Sequence, residues 1–184
     1  VDGGGDSFAQ EHIYTVYGSG DVVIKSRMDS SRTMTLPRFG VSMRMPADYE
    51  NVTWFGRGPH ENYIDRNAGT PVGLYTGTVD EQYVPYILPQ ENGNKTDVRW
   101  LALSNEEGAG LLVAGLPQME ASVSHYSAAD LYQAFQTNEL TRRDEVIVNL
   151  DAMQSGLGGA SCGPGTLPQY LLEGNSFELS VRLR

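Results

Sequence analysis

Residues 54–66, WFGRGPHENYIDR, crowd two glycines, a proline, a histidine, a glutamate, an asparagine and two arginines behind a strand-like NVTWF. His60 and Glu61 are the residue types of a general acid and base, and could act as such if both faced one cavity. Adjacent residues of an extended chain point to opposite faces, so that dyad is geometrically awkward. The structural reading takes Gly56, Gly58 and Pro59 as a sharp corner. Arg57, His60, Glu61 and Asn62 then form a polar set that satisfies backbone groups stranded by the turn, with Arg57 or Arg66 neutralising Glu61. The corner is the reading carried forward, and it predicts that His60→Ala lowers the melting temperature.

Two further stretches are polar enough for chemistry. In PYILPQENGNKTDVRW, residues 85–100, Glu91, Asn92, Asn94 and Asp97 supply oxygen atoms that suit a cation or sugar hydroxyls. Their spacing is not that of a calcium-binding EF-hand loop. The segment reads as a polar loop bordering a ligand and leading into a strand, with Arg99 paired to a carboxylate. In QSGLGGASCGPGTLPQY, residues 154–170, the glycines resemble a phosphate loop only in composition. Neither a Lys-Ser/Thr pair nor a helix pattern follows them, and a phosphate loop needs both. Cys162 would be a nucleophile only beside a base, which the sequence does not supply. A long surface loop with unusual backbone angles is the reading taken. His12, His60 and His125 lack metal-ligand spacing, so no metal site is expected, and His125 reads as a core or loop histidine.

The elements that must position these residues are strands. HIYTVYG (12–18) and VVIKSRM (22–28) flank a GSGD turn as a hairpin. FGVSMRM (39–45) places Phe39, Val41, Met43 and Met45 on one face and Ser42 and Arg44 on the other. VRWLALS (98–104) and GLLVAGL (110–116) form a second hairpin, and EVIVNLD (145–151) and FELSVRL (177–183) are further strands. One helix is expected in SAADLYQAF (127–135), capped by Ser127 with Asp130 three positions on. No internal repeat or linker divides the chain. Short strands between Gly and Pro turns predict an all-β antiparallel sandwich in a single domain over residues 1–184, with a flexible head over residues 1–10.

Composition narrows the partners. The 184 residues can bury a sizeable core, and 40% hydrophobic with 20% charged residues is ordinary for a globular chain. A formal net charge of -10 disfavours nucleic acid and anionic membrane, whereas a neutral sugar meets no such penalty. The single cysteine excludes an intrachain disulfide and leaves the compartment open. No apolar run approaches the roughly 20 residues of a membrane helix. The glycine-rich start, VDGGGD, reads as the middle of a longer polypeptide.

Four stretches taken in order, NVTWFGRGPHENYIDR, VPYILPQENGNKTDVRW, SHYSAADL and VNLDAMQSGLGG, resemble the C-terminal "small chain" domain of the glycoside hydrolase family 2 β-galactosidases. The similarity runs from about Phe39 to the C-terminus, with weaker likeness back to Tyr14. The resemblance implies a β-supersandwich of the galactose mutarotase-like type, of which this chain is the later portion. It also implies that the two catalytic glutamates lie in a TIM barrel outside this chain, so no catalytic residue is assigned here. A retaining glycosidase sets two carboxylates about 5 Å apart across the bond, and nothing assigns that pair to Glu61 and Glu91.

In that family the loop after the GxGG motif lends the active site a tryptophan, within an acidic-x-Ser-Trp-Gly-Pro pattern. Here the loop reads GLGGASCGPG: Ala160 stands near the usual acid, and Cys162 or a one-residue gap stands where tryptophan is expected. Ser161, Cys162 and Gly163 are therefore the substrate-proximal candidates, with Glu91 and Asn92 beside them. The implied partners are a β-galactoside or related neutral glycan and the barrel and other domains of a parent enzyme, itself open to homo-oligomerisation. Any cation of the family belongs near the barrel, and no cofactor is expected in this chain. The role so implied is an accessory one, completing a substrate cavity and supporting assembly. A free-standing carbohydrate-binding sandwich and a mutarotase- or epimerase-like sugar enzyme stay open as alternatives.

Overall fold

Apolar side chains at every second position bury together only when each strand turns one face inward, and Gly, Pro and Asn break the chain often enough to return it antiparallel. The structure, a computed structural model, describes residues 7–159 and 162–184. β1 (Phe8–Val16) and β2 (Val22–Leu36) form the expected first hairpin, with Val16 opposite Val22. β3 (Arg38–Pro46) turns Phe39, Val41, Met43 and Met45 inward and leaves Ser42 and Arg44 exposed. β4 (Asn51–Arg57) and β5 (Val72–Thr78) pair next, and β6 (Lys95–Ser104) and β7 (Gly110–Ser124) make the second expected hairpin. The helix α1 (Ala128–Gln133) starts at Ser127, whose Oγ accepts from the Asp130 amide while the Asp130 carboxylate accepts from the Ser127 amide. β8 (Glu145–Gln154) and β9 (Leu172–Leu183) complete the strands.

The hydrogen-bonded order is β1-β2-β9-β7-β6-β4-β5, with β8 also on β7 and β3 on β8. β7 is long enough to serve two leaves. Its Val113–Gly115 stretch pairs with β9, and its Glu120–Ser124 stretch pairs with β8. The two leaves face each other: β3 and β9 share no ladder, yet the Phe39 and Phe177 rings lie 5.9 Å apart across the interior. Val98, Leu103, Val113, Ala121, Val146, Val148, Leu150 and Val181 have no exposed surface between them. Each buried Val or Leu of such a core contributes about 1.5–3 kcal/mol. The all-β antiparallel sandwich is thus present, and no helix among the described residues is long and apolar enough to cross a membrane.

One close approach fixes the middle of this architecture. A Cβ on Gly40 would stand 2.2 Å from both Asp151 Oδ1 and the Leu150 carbonyl, so only glycine lets β3 meet β8 beside the bulge at Phe39. At the start of the chain Phe8, Ala9 and Gln10 of β1 pair with Ser30, Asp29 and Met28 of β2. The length of β2 extends the ladder further than hydropathy alone suggests, because backbone pairing does not need apolar side chains.

Candidate functional site

The corner begins where β4 ends. Asn62 is fully buried; its Oδ1 accepts from the Thr96 amide at 2.8 Å and the Thr96 hydroxyl at 2.6 Å, and its Nδ2 donates to the His60 carbonyl at 2.9 Å. Its own amide donates to the Asn94 carbonyl at 2.8 Å. Glu61 accepts from Arg66 at 2.6 Å, from the Gly93 amide at 2.7 Å and from the Tyr86 hydroxyl. Arg57 bonds Asp97 at 2.5 Å and the carbonyls of Asn67 and Thr70, rather than Glu61. His60 departs from expectation. Its ring is exposed and only its backbone carbonyl enters this network, because Pro59 and His60 face solvent while Glu61 and Asn62 turn inward.

This corner grips two loops. Glu61 and Asn62 hold the PQENG loop, and Asp65 Oδ2 accepts from the Gly158 amide at 2.7 Å in the glycine-rich loop. A Cβ on Gly156 would lie 2.6 Å from the Asp65 carboxyl carbon, so glycine is what lets that loop close on Asp65. Cys162 and Gly163 sit exposed in the turn beyond, with the Cys162 amide donating to the Gly159 carbonyl at 3.2 Å. Ser161 lies outside the described residues.

Beside the PQENG loop a cavity of about 480 Å³ opens, lined among others by Arg38, Glu91, Asn92, Ser122, Asn149 and Asp151. Arg38 is its centre. The guanidinium bonds both Asp151 oxygens, one at 3.2 Å through Nε, and reaches Glu91 at 3.4 Å. Gln154 donates to the other Glu91 oxygen at 3.3 Å, and Asn149 donates to Ser122 Oγ at 3.1 Å. Burial pushes the Glu91 carboxyl above its usual range, although Arg38 pulls against that shift. Asn92 is buried and structural, its Oδ1 accepting from the Val84 amide at 3.1 Å and its Nδ2 donating to the Gln90 carbonyl at 2.9 Å. Arg99, expected to pair with a carboxylate, instead donates to the Asp97 carbonyl and lies over the Phe55 ring. The register of β3 on β8 sets Gly40 opposite Asp151 and Arg38 opposite Gln154, and the long Arg38 side chain reaches across to the Asp151 carboxylate.

Behind the cavity sits Glu120, buried and accepting from Asn94 Nδ2 at 2.7 Å. Burial, reinforced by the Asp151 charge, raises its carboxyl to about 7. Both cavity carboxylates are bound to Arg38, so neither stands ready as a free general acid. Trp54 offers no stacking face: it is 2% exposed, packed on Tyr75 and under the Lys95 ammonium, while Trp100 is half-buried. The structure brings Glu91 and Asn92 to one cavity, but neither Cys162 nor Gly163 is among its described lining residues. Arg38, Asp151 and Glu120 escaped sequence reasoning, since strand register alone brings them together; the polar breaks they make in apolar strands were the available signal.

The sequence family described as "Beta galactosidase small chain" matches residues 5–183. A β-galactosidase of Priestia megaterium is 42% identical over 88% of this chain, and one of Vibrio cholerae is 39% identical over 93%. A third, from Halalkalibacterium halodurans, is 34% identical over 87% of the chain. In each case the chain spans only 16% of the relative's length.

Proposed function

The chain belongs to the β-galactosidase small chain family, and from that membership we propose that it serves as the accessory sandwich of a larger β-galactosidase-like glycosidase. In this reading it shapes one wall of the substrate cavity and supports assembly, while the catalytic glutamates come from a barrel elsewhere in the parent enzyme. The sandwich itself falls in the galactose mutarotase-like class of supersandwiches. The observation that carries the proposal is the match over nearly the whole chain to relatives of which it covers one-sixth. The cleft agrees with an accessory role: it is rich in hydrogen-bonding groups yet its carboxylates are committed to Arg38.

The glycine-rich loop, with Ser161, Cys162 and Gly163, lies nearest the sugar in this proposal, and Glu91 and Asn92 lie behind it. Asp65 is what holds the loop to the corner. Two assays test the reading. The isolated chain leaves a chromogenic β-galactoside intact, and turnover by the chain alone would contradict the accessory role. In the parent enzyme, Cys162→Trp supplies an aromatic face worth about 1 kcal/mol of stacking, which lowers KM roughly five-fold. An unchanged KM and kcat in that variant would remove the loop from the sugar.

A further inference from the structure

At the end of the sheet opposite the glycine-rich loop's anchor, three ligand-type side chains converge from three separate segments. Glu50 immediately precedes β4, Asp80 opens a 3-10 turn (Asp80–Gln82) after β5, and His125 follows β7. Their carboxylate oxygens and the imidazole nitrogen all lie within 4.8 Å of one another. His125 Nε2 is 2.8 Å from Glu50 Oε2 and 3.9 Å from Asp80 Oδ1. Tetrahedral zinc ligands at about 2.0–2.2 Å from the ion stand about 3.3–3.6 Å apart, which these two separations bracket.

The hydrogen-bond arithmetic at His125 points to a cation. The ring is 2% exposed, and its Nδ1 lies 2.8 Å from the Glu145 carbonyl, which can only accept. Nδ1 therefore carries a hydrogen. If the ring is neutral, the Nε2 lone pair faces the Glu50 carboxylate at 2.8 Å, acceptor against acceptor. If the ring is cationic, its Nε2 hydrogen faces Arg142 Nη2 at 2.8 Å, donor against donor. Neither form satisfies both neighbours. A metal ion accepting the Nε2 lone pair and both carboxylates satisfies all three ligands.

The geometry points to a divalent metal site of the zinc class, with His125 Nε2, Glu50 and Asp80 as ligands and water in the fourth position. Arg142 now supplies the positive charge there, bonding Asp80 at 3.0 Å and Glu50 at 3.3 Å. Its side chain is 41% exposed and can rotate into solvent when an ion enters. The outer contacts are those of a metal site. The Glu145 carbonyl orients the imidazole, and Glu50 Oε1 accepts from the Asp80 amide at 3.0 Å, fixing one ligand against another. The imidazole favours zinc over magnesium, which prefers an all-oxygen octahedral shell. An ion here ties the entry to β4, the turn after β5 and the exit of β7 together, so it stabilises the folded chain by mass action.

Calorimetric titration of the chelator-treated full chain with Zn²⁺ tests this, with Mg²⁺ as the contrast. One Zn²⁺ binds per chain and raises the melting temperature, and Mg²⁺ binds at least ten-fold more weakly. Asp80→Asn, a change on a largely exposed side chain, weakens Zn²⁺ binding at least ten-fold, and Arg142→Ala strengthens it at least as much. Cys162→Ser leaves binding unchanged, which separates this site from the exposed thiol. Absence of stoichiometric Zn²⁺ binding, or affinity indifferent to both Asp80→Asn and Arg142→Ala, would overturn the assignment.

Discussion

Asn62 spends every polar atom of its side chain on the corner, and that makes it the residue whose loss should be felt. Asn62→Ala strands the Thr96 amide and hydroxyl out of reach of solvent, at a cost of about 2–3 kcal/mol. In a chain of this length that lowers the melting temperature by roughly 5–10 °C by scanning calorimetry. His60→Ala removes an exposed ring and changes stability by no more than about 0.5 kcal/mol, the reverse of what the sequence suggests. Glu120 gives the fold a pH dependence. Its folded carboxyl sits at about 7 against an ordinary 4.5, so between those values the folded chain holds a proton that the unfolded chain has released. The contribution is complete below 4.5 and lost as pH rises through about 7. Glu120→Gln keeps an acceptor for Asn94 and removes the carboxyl's titration. Urea unfolding at pH 5 and pH 8 should show the variant gaining stability over the unsubstituted chain at the higher pH.

Strands and loops carry the next level of consequence. Gly40→Ala drives a methyl into the Leu150 carbonyl and Asp151, forcing β3 off β8 and opening the cleft that Arg38 closes, for a loss of about 1–3 kcal/mol or more. Asp65→Ala releases the Gly158 amide, and limited proteolysis should then cut the segment around residues 158–166 faster while global stability changes little. The hairpins, β3, β8 and the capped helix were legible because period-two alternation and the Ser127–Asp130 box are local signals. The cleft was not, since Arg38 and Asp151 stand 113 residues apart and meet only through the register of β3 on β8. The division of β7 between β8 and β9 was equally invisible, because a strand carries no mark of which neighbour it changes. The contact between Glu50 and His125, 75 residues apart, was hidden for the same reason. The corner was legible as polar and structural, but which of its side chains face inward depends on the turn itself.

The whole chain combines an all-β core with a net charge of -10 and a cleft lined in part by Arg38, Glu91, Asn92, Ser122, Asn149 and Asp151. Its family membership and the one-sixth share it takes of its relatives are what the proposed accessory role rests on. The most direct test is a native-gel immunoblot of source-cell extract, using antibody to this chain and overlaid with a β-galactoside activity stain. The account predicts that the chain migrates in a species several-fold larger than 20.1 kDa and coincides with the activity. A signal near 20 kDa, running apart from the activity, would contradict it.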